Sequence, residues 1–121
     1  MIRLQEVRIE TNKKCSFSIH LVENVANKTD FSCEVDVFDF VSNHPGSYRI
    51  STKNTFPTPI EALEDGLNQA KNYSKNSHVT ICVIDNPCNC ELVSKKDQQD
   101  LVRKLNLSAQ VTENGSTEDG S

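Results

Sequence analysis

Apolar residues recur at every second position through much of the first half of the chain, the period of a strand with one face buried and the other in water. Cys15, Phe17, Ile19 and Leu21 alternate with Ser16, Ser18 and His20, and Phe31, Cys33, Val35 and Val37 alternate with Ser32, Glu34 and Asp36. Val7 and Ile9 against Arg8 and Glu10, and Tyr48 and Ile50 against Arg49 and Ser51, repeat the pattern on either side. Asn12-Lys13-Lys14, residues 24–30 and Asn43-His44-Pro45-Gly46 supply the polar, Gly and Pro residues that let a chain reverse. The economical expectation is four strands in an antiparallel meander.

The period then lengthens to about 3.6. Thr58-Pro59-Ile60-Glu61 reads as a helix start, with Thr as N-cap, Pro at the first helical position and Glu three residues after the cap. Ile60, Leu63, Gly66, Leu67, Ala70 and Tyr73 fall on one face, where Gly66 would let the helix lie close on the sheet. The run from His78 to Ile84 is apolar on both alternating sets near its end, predicting an interior strand covered on both faces and stopped by Asp85-Asn86-Pro87. A second helix starting near Ser94, capped toward Asp97, would carry Leu101, Val102 and Leu105 inward. The order β-β-β-β-α-β-α predicts an α+β two-layer sandwich, an antiparallel sheet of about five strands with two helices. Residues 1–107 form one domain in this reading, and the polar, acidic residues 108–121 a disordered tail, since one branched aliphatic cannot offset their ordering entropy.

The passage through Thr52 into Thr58-Pro59-Ile60-Glu61-Ala62-Leu63 and on to Ala70 and Tyr73 is similar to the sheet-to-helix unit of HicB-type antitoxins. The resemblance covers roughly a quarter of the chain and consists mostly of a helix cap. The chain departs from that pattern by continuing into another strand and helix.

Composition narrows the classes. With 36% hydrophobic and 25% charged residues, the 121-residue chain fits one domain able to bury a core without staples. Its longest apolar run, Ile81 to Ile84, is far below the ~20 residues that cross a bilayer. The start alternates charged and apolar residues unlike a secretory leader, so the expected compartment is the cytoplasm. Five cysteines, an odd number at irregular spacing, then read as reduced thiols. Net charge is −4, but seven acids against Arg49 and Lys53 lie between Asp30 and Asp65. Direct nucleic-acid binding is unexpected, because Asp97 and Asp100 interrupt the densest basic stretch and the chain has no Trp.

Candidate chemistry is sparse. Four glycines, at 46, 66, 115 and 120, cannot build a phosphate-binding loop, so no cofactor is expected. Cys82, Cys88 and Cys90 could converge as a metal or redox module, but no paired C-x2-C is present and free Cys is usually a small core residue; no metal is expected. His78 shares a strand face with Cys82 in this reading, yet stands ~13 Å away at the rise of a strand. If the meander pairs as drawn, Arg8, His20, Glu34, Asp36 and Arg49 project from one sheet face, and His20 with Glu34 and Asp36 could do acid–base work as a small hydrolase or transferase. No nucleophile motif accompanies them. The leading expectation is a non-enzymatic interaction protein that docks on a protein partner, one with a basic surface, or on a second copy of itself. Its binding residues would be Glu34, Asp36, Phe38 and Phe40, aromatics rimmed by acids on the face opposite the core. Accessory, inhibitor and immunity proteins of phage and other mobile elements share this size and lack of motifs, an association that names no target.

Overall fold

The alternating segments pair into one sheet whose register puts like with like. The computed structural model describes residues 2–25, 29–41, 45–50, 54–87 and 92–113. Strands β1 (Ile2–Thr11), β2 (Cys15–Val25), β3 (Thr29–Asp39) and β4 (Gly46–Ile50) form the antiparallel meander. Val7 faces Ile19, which faces Val35, which faces Ile50, so the apolar set of every strand lands on one side. After helix α1 (Pro59–Asn76), strand β5 (Ile81–Asn86) pairs antiparallel with β1, Ile9 opposite Ile84. Helix α2 (Lys95–Lys104) then leads into β6 (Gln110–Glu113), which pairs parallel with β5 and completes the order β4-β3-β2-β1-β5-β6. The fold is α+β, with two helices packed on one sheet. The sheet has six strands rather than about five and is mixed rather than purely antiparallel.

The sixth strand comes from residues that composition assigned to a tail. Val111 is buried opposite Ile84, and Asn86 Nδ2 donates to the Thr112 carbonyl at 2.9 Å, so one apolar side chain and one buried amide dock the segment. Residues 114–121 lie outside the described residues, as do 26–28 and 42–44 of the expected turns.

Both helices begin as the sequence indicates. Thr58 Oγ1 accepts from the Glu61 amide at 3.3 Å, the N-cap bond, and donates to the Glu61 carboxylate at 2.8 Å, with Pro59 opening the helix. Ser94 Oγ accepts from the Asp97 amide at 3.1 Å. Both helices also end alike, in Schellman motifs whose left-handed residue is not glycine. His78 (φ 58°) and Asn106 (φ 57°) turn the chain, and the next residues donate back five positions, Val79 to the Ser74 carbonyl at 3.0 Å and Leu107 to the Val102 carbonyl at 2.9 Å. His78 thus belongs to the end of α1, and β5 starts three residues later than its apolar run suggested.

Packing between the layers is close. A Cβ at Gly66 would stand 3.0 Å from Ile19 Cγ2 and 3.2 Å from Cys33 Sγ, so the missing side chain brings α1 onto β2 and β3 as expected. Leu63, Leu67 and Ala70 are buried there, joined by Ala62 and Ser74, while Ile60 of the anticipated stripe remains exposed. Val93, Leu101 and Val102 join the same core, with Leu105 packed at its margin. The helices therefore share one side of the sheet. No described helix or strand covers the other side, although Val22 on it is fully buried, and β5 is interior to the sheet with Val83 half-buried on the open side.

Candidate interaction face and buried polar sites

The open face is written in cross-strand rows. One row runs Ser47, Phe38, Ser16, Glu10, Val83 from β4 to β5. The next runs Arg49, Asp36, Ser18, Arg8, Asp85, and a third sets Glu34, His20 and Glu6 side by side. Opposed residues in neighbouring strands have Cβ atoms about 4.5–5.5 Å apart, close enough for charges to pair. They do so in a chain. Arg49 Nε donates to Asp36 Oδ1 at 2.7 Å and its Nη2 to Oδ2 at 3.2 Å, a two-pronged pair, with Glu34 Oε2 3.9 Å from Nη1. His20 Nε2 lies 3.6 Å from Asp36 Oδ2 and 3.3 Å from Ser18 Oγ. Ser18 Oγ donates to Glu6 Oε2 at 2.6 Å, and that oxygen also accepts from Arg8 Nε at 3.1 Å. The Ser18 hydroxyl, followed by Arg8, holds the Glu6 carboxyl below its ordinary range against the opposing effect of burial.

This is the grouping expected from the alternation: Arg8, His20, Glu34, Asp36 and Arg49 do share one face. Phe38 joins them, half-buried and forming one wall of a hollow of about 310 Å3 whose other lining includes Glu6, Arg8, Glu10, Ser16 and Ser18. Phe40 is placed differently. It lies one residue beyond β3, at the rim, with its amide donating to the Lys14 carbonyl at 2.9 Å and its ring exposed.

Ser18, His20 and Asp36 invite comparison with a hydrolytic triad, but Ser18 and Asp36 both approach Nε2. A triad base takes the nucleophile's proton on one ring nitrogen while the carboxylate orients the other. Ser18 moreover directs its proton to Glu6. Of the cysteine group, Cys88 and Cys90 lie outside the described residues; Cys82 is half-buried with its thiol 3.4 Å from the Thr80 carbonyl. His78 turns the end of α1 and shares no strand face with Cys82. Among the described residues no group of three or more His, Cys, Asp or Glu side chains is placed to hold a metal ion.

Two polar sites inside the core were missed by pattern reading. Gln5, Asn86 and Gln98 are buried together. Gln5 Oε1 accepts from the amides of Leu92 and Val93, both at 2.8 Å, and its Nε2 donates to the Val93 carbonyl at 3.1 Å. Asn86 and Gln98 exchange amide bonds at 2.8 and 2.9 Å, tying β5 to α2. At the other end of the sheet, Tyr73 of α1 donates its hydroxyl to Asp39 Oδ2 at 2.7 Å, and Oδ1 accepts from the Val41 amide at 2.9 Å. Burial, then the Asp39 bond, pushes the Tyr73 phenol up to about 12. Burial, with Asp39 adding to it, pushes the Cys15 thiol up to about 11. A signal for each was present: Gln5, Asp39 and Asn86 each occupy an inward position of an otherwise apolar strand series, and Gln98 precedes Leu101 and Val102 on the helix stripe.

Compared with protein-family models, with curated proteins and with solved structures, the chain matches none. No helix among the described residues is long and apolar enough to cross a membrane.

Proposed function

We propose that the chain is a non-enzymatic interaction protein that docks through its open sheet face on a protein partner with a basic surface. The observation that carries this reading is a sheet face that no described helix or strand covers while the opposite face takes both helices, bearing Phe38 among carboxylates. Across its three central rows, Glu6, Glu10, Glu34, Asp36 and Asp85 outnumber Arg8 and Arg49. Face-to-face pairing with a second copy would set acid against acid, whereas a basic partner would be steered toward the face and held in register. Phe38, with Phe40 at the rim, supplies aromatic area of the kind that anchors interfaces. A cytoplasmic setting belongs to the same reading, with Cys15, Cys33 and Cys82 as free thiols.

The competing reading is a small hydrolase or transferase worked by His20 with Glu34 and Asp36, favoured by the Ser18–His20 contact. The shared ring nitrogen and the Ser18–Glu6 bond weigh against it.

The test is the double variant Phe38→Ala with Phe40→Ala, checked for native circular dichroism. Affinity capture by the wild type and by the variant, read by mass spectrometry, should give a partner that the variant loses at least about tenfold. Equal recovery of every partner by the two proteins would refute the proposed face.

A further inference from the structure

The hollow on the open face has a shape and a charge that together select one kind of side chain. Its floor is made by the small residues Ser16 and Ser18 of the central strand β2. Its walls are higher because both neighbouring strands carry longer side chains, Phe38 on β3 and Glu6, Arg8 and Glu10 on β1. At about 310 Å3 it lies at the low end of ligand pockets, a size suited to one inserted side chain rather than a cofactor.

The charges inside it are not equivalent. Glu6 is engaged by Ser18 and Arg8, and Arg8 by Glu6. Glu10 is different: its cross-strand neighbours Ser16 and Val83 carry no charge, and no ion pair engages it among the described residues. An exposed carboxylate therefore stands on one wall and an aromatic ring forms another. A cation with a planar or aliphatic body satisfies both, its charge on the carboxylate and its body over the ring. Arginine suits this better than lysine, because guanidinium is weakly hydrated, stacks on aromatic faces and meets a carboxylate with two parallel donors.

We propose that this hollow receives an arginine side chain from a basic segment of the partner protein, its guanidinium on Glu10 and its plane against Phe38. The inference rests on the interaction reading above and names the chemistry of its anchor. An anionic ligand would meet the acid excess of the face, and a second copy would bring the same excess with it.

The probe is the capped tripeptide acetyl-Gly-Arg-Gly-amide, titrated into the full-length protein and followed by amide chemical shifts. Its control is the citrulline analogue, which keeps the shape and loses the charge. The arginine peptide should shift Glu10, Ser16, Ser18 and Phe38 together and saturate, with the citrulline peptide at least about tenfold weaker. Glu10→Gln and Phe38→Leu should each weaken it by a similar factor. Glu61→Gln, in the separate acidic hollow beside Phe56, Glu64 and Asp65, should leave it unchanged. Shifts scattered over all acidic residues, equal response to citrulline, or indifference to Glu10→Gln would overturn the proposal. The two readings fail separately. Partner capture that depends on Phe38 and Phe40 without a saturating arginine site would refute the anchor and leave the docking face standing. A saturating arginine site with partners indifferent to those aromatics would refute the docking face, and with it the assignment of that arginine to a partner, leaving only a site for the free side chain.

Discussion

Gln98 is the most deeply buried member of the amide network, at 0% exposure against 5% for Gln5, yet Gln5→Leu should destabilise the fold more than Gln98→Leu. The reason lies in what each substitution leaves behind. Gln98→Leu removes bonds to Asn86 and to the Val93 carbonyl, but every partner keeps another: Asn86 Nδ2 still donates to the Thr112 carbonyl, and the Val93 carbonyl and Asn86 Oδ1 still accept from Gln5. No buried polar group is orphaned, and the leucine brings apolar burial in return, so the net loss should be about 1 kcal/mol. Gln5→Leu instead strips the acceptor from two backbone amides at once. The Val93 amide belongs to a residue with 0% exposure and should incur the full penalty of about 1–3 kcal/mol, while Leu92, at 44%, can recruit water and lose less. The total is about 2–4 kcal/mol, or roughly 10 °C in melting temperature for a domain of this size. Urea unfolding of both variants by circular dichroism measures the difference, and amide exchange at Val93 locates it. Equal midpoints for the two variants, or Val93 protection unchanged in Gln5→Leu, would refute the reasoning.

Two further outcomes follow from the packing. Gly66→Ala adds helix propensity of about 1 kcal/mol but forces a methyl to within 3.0 Å of Ile19 and 3.2 Å of Cys33, both in packed strands, so the overpacking of about 1–3 kcal/mol should win and the melting temperature should fall. A rise on melting would mean that α1 lifts freely from the sheet. Stability should also decline in alkali: burial, then the Asp65 charge, pushes the Cys33 thiol up to about 12, alongside Cys15 at about 11 and Tyr73 at about 12. These folded values lie above the unfolded ones, so the contribution is intact below about pH 9 and is lost as pH rises toward the folded values, the unfolded chain releasing its protons first. Urea midpoints under reducing conditions should fall steadily from pH 9 upward, and a flat profile to about pH 11 would show that these groups are not buried in the folded state.

Much of the candidate face was legible because a strand's period of two needs no tertiary information to sort residues onto sides. Once Ser16, Ser18 and His20 were read as the outward set of β2, the meander placed them beside Glu34, Asp36, Arg8 and Arg49. Phe38 followed by the same alternation. Its companion Phe40 did not, because the strand ends at Asp39, where the Tyr73 hydroxyl captures the carboxylate from another element 34 residues away. The buried amides carried only a partial signal for a related reason: Gln5, Asn86 and Gln98 stand at inward positions, but the partners that satisfy them come from three distant segments.

Local chemistry alone determined the four-strand meander, both helix starts, the close approach at Gly66 and the two faces of the sheet, since caps, side-chain period and the absence of a Cβ act within a few residues. Tertiary structure decided the rest. The polar segment Gln110–Glu113 became a strand only because β5 offered it an open ladder beside Ile84, and His78 became a helix end because the chain had to turn there to reach β1. Both outcomes turn on backbone hydrogen bonds that must find partners, and those partners lie in elements no local window contains.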